Sequence, residues 1–305
     1  MAITSAGLMM LDAETASRFP DLAAQGQPLV VTGAMEQWPA LRLWDYAYLR
    51  DAEVKNGSPL PVFHASRRGM PMRPLEQWLP LSEIVERLWN TRPADPFPEG
   101  SLFYAKQRGL QDFPGLLRDV RRPLFYPDHL VEVNLWLGGA GCSSPLHFDY
   151  VDNLMCQVRG ERRVLLYAPG QGRALYPAYA LREPTDESTP PHFSLVGNPH
   201  TADPAAFPRF ADVRPAHDLR LGPGEMLYIP PYWWHHVEIT DGPAVQVNFW
   251  YSLQYGALMT ADDHRAETEV MEHLRVLLDR ASPARRSGLG AVITSLCEAT
   301  GQHPV

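Results

Sequence analysis

Two short segments carry residues whose types and spacing could do metal chemistry: His147-Phe148-Asp149 and, much further along, Trp233-Trp234-His235-His236. Two imidazoles and one carboxylate on a single face of an iron(II) ion leave the opposite face open for a co-substrate and dioxygen. Alternate side chains of a strand share a face, so His147 and Asp149 point the same way and can hold one ion together. Such a short pair is weak evidence alone, because it also occurs on surfaces and in turns. The second segment strengthens it by offering a third ligand, either His235 or His236. His235 shares a strand face with Val237 and Ile239, whereas His236 shares one with Trp234 and Glu238. An apolar interior therefore selects His235. The bland alternative is that both histidines pack beside the tryptophans.

The elements that must position these residues read as β structure. From Leu102 to Tyr251 the chain consists of short apolar or alternating runs separated by Gly and Pro: Leu102 to Ala105, Val131 to Leu137, Leu154 to Val158, Arg163 to Tyr167, Glu225 to Ile229, Trp233 to Ile239 and Ala244 to Tyr251. Many strands with turn chemistry between them predict a sandwich or barrel. Ahead of this region lie one strand, Pro28 to Thr32, and helices at Asp45 to Arg50 and Ser82 to Trp89, the latter with Ser82 as its expected N-cap. Behind it, Val270, Leu274, Leu277, Leu278 and Ala281 recur at helical spacing, Ser282-Pro283 interrupts, and Leu289, Val292, Ile293 and Leu296 form a second stripe. The expected organisation is a catalytic domain over 1–256 with its core at about 102–251, followed by a helical segment over 257–305 that packs on the domain or makes a homodimer.

Composition bounds the function. The chain has 305 residues, 45% apolar and 20% charged, with 30 prolines, which suits a loop-rich globular protein. Its net charge of -8 disfavours nonspecific nucleic-acid binding. Cys142, Cys156 and Cys297 are widely spaced and lack a CxxC, suggesting neither a disulfide framework nor a zinc knuckle. With no signal-like N-terminus and no run approaching the roughly 20 apolar residues of a membrane span, a soluble cytoplasmic protein with no membrane partner is expected.

The motifs then become specific in combination. Leu135-Trp-Leu-Gly-Gly-Ala-Gly-Cys-Ser-Ser-Pro-Leu-His-Phe-Asp149, then Asn153, Gly160-Glu-Arg-Arg-Val-Leu-Leu-Tyr-Ala-Pro169, Gly224-Glu-Met-Leu-Tyr-Ile-Pro-Pro-Tyr-Trp-Trp-His-His236 and Val247-Asn-Phe-Trp-Tyr251 follow in order. Together they resemble the Jumonji-C, cupin-like family of oxygenases, in the hydroxylase branch of the asparaginyl hydroxylase factor-inhibiting HIF. The resemblance covers roughly Tyr104 to Tyr251 and extends more weakly to both flanks.

The resemblance implies a mainly β fold: a double-stranded β-helix (jelly-roll, cupin-like) core with N-terminal helices and a C-terminal helical pair. It implies iron(II), 2-oxoglutarate and dioxygen, with His147, Asp149 and His235 as metal ligands. Arg162 matches the basic residue that clamps the distal carboxylate of 2-oxoglutarate, a position where the factor-inhibiting HIF pattern has Lys. A guanidinium can grip a carboxylate with two parallel hydrogen bonds, and the adjacent Arg163 could serve instead. Ser144 and Tyr104 match hydroxyl groups directed at the same carboxylate, and Asn153 and Asn248 match amides lining the pocket. Asn248 has independent support, since Gln246, Asn248 and Trp250 share one strand face and buried amides need partners.

The expected activity is hydroxylation of a protein or peptide side chain, with succinate and carbon dioxide as co-products. Alternatives are a demethylase, for which the chain lacks a reader or zinc module, and a tRNA-base hydroxylase. The latter would need a local patch such as Arg67, Arg68, Arg73, Arg121 and Arg122. A non-catalytic cupin-like binding module is the third. The irregular segment Pro177 to Phe210 is the expected substrate-recognition region, with Tyr179, Arg182 and His192 as candidates.

Overall fold

The computed structural model describes residues 2–4, 7–57, 59–66, 73–90, 101–123, 130–178 and 192–251. The expected helical pair and dimer segment at 257–305, together with Tyr179, Arg182, Arg67 and Arg68, lie outside the described residues.

The chain begins with strands β1 (Ala2–Ile3) and β2 (Met9–Leu11), helix α1 (Phe19–Ala23), strand β3 (Leu29–Val31) and helices α2 (Ala40–Leu43) and α3 (Tyr46–Arg50). Strands β4 (Leu60–Ser66) and β5 (Arg73–Leu79), helix α4 (Leu81–Trp89), strand β6 (Ser101–Gly109) and helix α5 (Pro114–Arg118) follow. The remaining strands are β7 (Leu130–Gly138), β8 (Ser143–His147), β9 (Asp152–Tyr167), β10 (His217–Leu221), β11 (Met226–Ile229) and β12 (Trp234–Tyr251). They pair in the order β1-β2-β3-β11-β9-β12-β7-β6-β4-β5, with β10 added on β9 and β8 on β12. No described helix is long and apolar enough to cross a membrane.

The long central pair, β9 and β12, organises the site. Four separate strands were expected where the structure has these two, because the turn signals at Gly160 and Gly242-Pro243 mark bends inside continuous strands. Gly160 has φ of 67°, and a Cβ there would stand 2.5 Å from the Asp241 carbonyl oxygen and 2.9 Å from the Ala244 Cα. The two bends are thus packed against each other, a close approach that only glycine permits. Before the bend β9 pairs with the second half of β12 and with β11; after it, β9 pairs with the first half of β12 and with β10.

Both faces of this pair are buried, for different reasons. Leu154, Cys156 and Val158 of β9 and Val245, Val247 and Phe249 of β12 join Phe19, Trp38, Trp44 and the α4 residues Leu81, Ile84, Val85 and Leu88 in one apolar core. The i, i+3, i+4, i+7 spacing of those α4 residues is what lets a single helix stripe cover the sheet. The opposite parity carries Asn153, Met155, Gln246, Asn248 and Trp250 into a chamber on the other face. The helix starts differ from the sequence expectation by one residue each. Asp45 caps α3, its Oδ1 accepting the Tyr48 N–H at 2.9 Å. Ser82 does not cap α4: the helix opens one residue earlier, after Pro80, whose fixed φ preorganises the turn.

Candidate active site

The structure brings together His147, Asp149 and His235, with one ligand atom from each lying within 4.8 Å of the others. His147 Nε2 is 3.9 Å from Asp149 Oδ1, and His235 Nε2 is 3.6 Å from Asp149 Oδ2. The two histidines meet because β8 and β12 pair with His147 directly opposite His235, their ring centroids 4.2 Å apart. Each ring directs Nδ1 at a backbone carbonyl, of Pro145 at 2.6 Å and of Trp233 at 3.0 Å. With Nδ1–H donating there, the tautomer is set and Nε2 presents its lone pair to the centre of the triad.

Asp149 arrives by a different route from the one strand alternation suggests. Strand β8 ends at His147, and Asp149 lies in the irregular segment that follows. The Tyr232 N–H donates to the Asp149 carbonyl at 3.0 Å, Tyr232 itself holding a left-handed φ of 66°. The Asn153 amide donates to Asp149 Oδ2 at 3.1 Å. His236 faces away from the triad, buried, with its ring 5.8 Å from that of His200. Burial, and then the neighbouring His200, push its pKa down to about 3, so it is neutral near pH 7.

An inner chamber of about 30 Å³ adjoins the triad and is lined by Tyr104, Ser144, Asn153 and Asn248 together with Trp136, Met155, Gln246 and Trp250. It shares Trp136, Ser144, His147, Asp149 and Trp250 with an outer cleft of about 450 Å³ that also meets Gln107, Tyr150, His192 and Phe193. Burial lowers the pKa of His192. In the sequence nothing flagged Trp136, Met155, Gln107 or Phe193. The signal at Gln107 is its φ of 54° at an irregularity in β6, a backbone feature.

Arg162 and Arg163 have opposite environments. Arg163 points outward and grips Asp218 through Nε and Nη2, at 2.8 and 2.7 Å. Arg162 is fully buried; its Nη1 donates to Gln246 Oε1, while Nε and Nη2 have no hydrogen-bond partner among the described residues. Burial lowers the Arg162 pKa, as expected of a cation without a neighbouring carboxylate. Tyr104 hydrogen-bonds with Ser144, and burial raises the phenol's pKa, so it keeps its proton and can donate. From Gln246 a chain of amides continues: Gln246 Nε2 donates to Asn248 Oδ1, and Asn248 Nδ2 to Asn153 Oδ1 at 2.8 Å. Of the arginines considered for a nucleic-acid patch, Arg122 lies over the Tyr251 ring, 5.9 Å from its centroid.

The profile of the Cupin-like domain family matches residues 15–257. The human bifunctional peptidase and (3S)-lysyl hydroxylase JMJD7 is 31% identical over 266 residues, covering 78% of this chain and 81% of that protein. Jumonji C domain-containing protein 5 of Drosophila melanogaster is 28% identical, over 79% of this chain and 59% of its own length. Lysine-specific demethylase 8 of Xenopus tropicalis is 25% identical, over 74% and 48%. The chain thus spans about half the length of the latter two. With a family profile over most of its length and relatives that include a hydroxylase and a demethylase, the chain belongs to the cupin-like, Jumonji-C family of oxygenases.

Proposed function

We propose that the protein is an iron(II)- and 2-oxoglutarate-dependent dioxygenase, built on a double-stranded β-helix, that hydroxylates a side chain of a protein or peptide. The observation that carries this reading is the pairing of a two-imidazole, one-carboxylate triad with a buried guanidinium whose Nε and Nη2 edge is unused. That is the edge with which Arg163 next door holds the Asp218 carboxylate in a two-point grip. A buried cation with free donors calls for an anion, and a planar carboxylate fits the fork.

The donor sets suit both groups. His147 and His235 offer neutral Nε2 atoms and Asp149 a carboxylate, a set matched to non-haem iron(II) with open positions. Arg162 would hold the distal carboxylate, with the Tyr104 and Ser144 hydroxyls as further donors. As it stands the inner chamber has room for about two waters. A five-carbon diacid therefore requires its lining to open. When bound, iron and the oxo-acid would supply the oxidising chemistry with dioxygen as the oxidant, one oxygen atom going to the succinate formed with carbon dioxide and the other to the substrate. The protein's own part is positional: Asn153 holds one oxygen of Asp149, and Trp136 and Trp250, at the boundary of chamber and cleft, limit water. The outer cleft with Tyr150, His192 and Phe193 is where the substrate side chain would enter, and the lysyl hydroxylase among the relatives supports a protein substrate. Buried reduced thiols at Cys142 and Cys156 suit a cytoplasmic setting.

The test is oxygen-dependent conversion of 2-oxoglutarate to succinate with added iron(II), with a search for peptides that gain one oxygen atom. Turnover in the wild type that is lost in His147→Ala and Asp149→Ala is expected. Wild-type protein that binds neither iron(II) nor 2-oxoglutarate and turns nothing over would instead leave a non-catalytic cupin-like module.

A further inference from the structure

Four hydrogen bonds run in one direction from the buried guanidinium to the triad. Arg162 Nη1 donates to Gln246, Gln246 to Asn248, Asn248 to Asn153 at 2.8 Å, and Asn153 to Asp149 Oδ2 at 3.1 Å. All of the first four residues are at most 3% exposed. The sense of each amide follows from chemistry at the two ends. A guanidinium can only donate and an ionised carboxylate can only accept, so each intervening amide must turn its oxygen toward Arg162 and its nitrogen toward Asp149. A chain polarised by a cation at its head and an anion at its tail strengthens each of its links.

We propose that Gln246, Asn248 and Asn153 form a polarised amide relay through which Arg162 orients the Asp149 carboxylate for metal binding. Gln246, which makes no hydrogen bond to the triad, is then a positioning residue for the metal site. The relay commits Asp149 Oδ2 to Asn153 and so leaves Oδ1, the oxygen facing His147, available to an ion. Partners behind the ligands commonly govern metal affinity in this way. This inference rests on the reading above that the triad binds a divalent metal.

The experiment measures Mn(II) affinity of the whole chain without 2-oxoglutarate, by electron paramagnetic resonance of free Mn(II). Gln246→Met severs the relay while filling the volume and is expected to weaken Mn(II) binding by about tenfold or more. Gln246→Glu still accepts from Arg162 but cannot donate to Asn248; the amides beyond it must flip and Asn153 then turns its oxygen on Asp149. It is expected to lose at least as much affinity as Gln246→Met, although a mere packing role would tolerate it better. Links in series also predict that Arg162→Met combined with Gln246→Met loses no more than either alone. Wild type that binds Mn(II), with both Gln246 variants within about twofold of it, overturns the relay and leaves the triad reading standing. Wild type that binds no Mn(II) overturns both.

Discussion

Replacing Arg162 by Met should make the ligand-free protein more stable and the ligand-bound protein less stable than wild type. Met retains most of the apolar stem and removes the charge. In the ligand-free state Nε and Nη2 are buried donors without partners among the described residues. Each such donor costs about 1–3 kcal/mol, so removing both returns about 2–6 kcal/mol. Against this stands the bond to Gln246, a charge-assisted hydrogen bond worth about 1.5–3 kcal/mol. The net is a gain of about 2 kcal/mol, or about 3 °C in Tm for a chain of 305 residues. A ligand at about 1,000 times its wild-type Kd stabilises by about 4.1 kcal/mol, and the variant, lacking the fork, should receive little of it. The order of stability therefore inverts by about 2 kcal/mol. The assay is thermal unfolding of both proteins, metal-free for the comparison without ligand, and then in saturating Mn(II), which blocks turnover, with and without 2-oxoglutarate for the effect of the oxo-acid. If Arg162→Met is the less stable protein without ligand and 2-oxoglutarate raises both midpoints equally, the guanidinium is a structural group and the anion site is elsewhere.

Four further outcomes are expected. Alanine at His147, Asp149 or His235 should abolish Mn(II) retention, whereas His236→Phe should keep it, as read by metal content after desalting. For His236 the folded pKa of about 3 lies below the ordinary 6.5, so the unfolded state binds the extra proton between these values and stability falls as pH drops through that window. From pH 7 to pH 5 this amounts to about 2 kcal/mol, and urea titrations of metal-free protein should show His236→Phe less acid-sensitive than wild type by that amount. Gly160→Ala should cost about 2–4 kcal/mol, from a left-handed φ plus a clash with the Asp241 carbonyl; equal denaturation midpoints would refute the packed bends. Truncation after Gly256 should leave a monomer on sizing where the full chain runs as a dimer, and an unchanged size would refute a homodimer made through residues 257–305.

Much of the site was legible because its chemistry is local. His147-Phe148-Asp149 offers two ligands two residues apart, and the choice of His235 over His236 needs only the period-two geometry of a strand. Asn248 was legible because a polar residue sharing a face with Gln246 inside an apolar run requires a reason. The hairpin of β4 and β5 escaped notice, since its sequence lacks sustained apolar alternation and pairing with neighbours decides its state, and β10 escaped because its alternation, Asp218 to Leu221, is only four residues long.

Choosing between Arg162 and Arg163 was beyond local reading. Adjacent residues on a strand face opposite ways, but which parity faces inward changes along β9, from Asn153 and Met155 before the bend to Arg162 after it. The same change occurs in β12, from His235 and Val237 to Gln246 and Asn248, across the register shifts between Ile239 and Gln246. An irregularity of one residue flips every side chain beyond it to the other face. The residue types of the candidate ligands and the two-residue spacing of His147 and Asp149 were therefore determined by the sequence alone. Which arginine turns inward to Gln246, and its link through three amides to Asp149, was decided only when the bends at Gly160 and Asp241 packed together and set the register of both long strands.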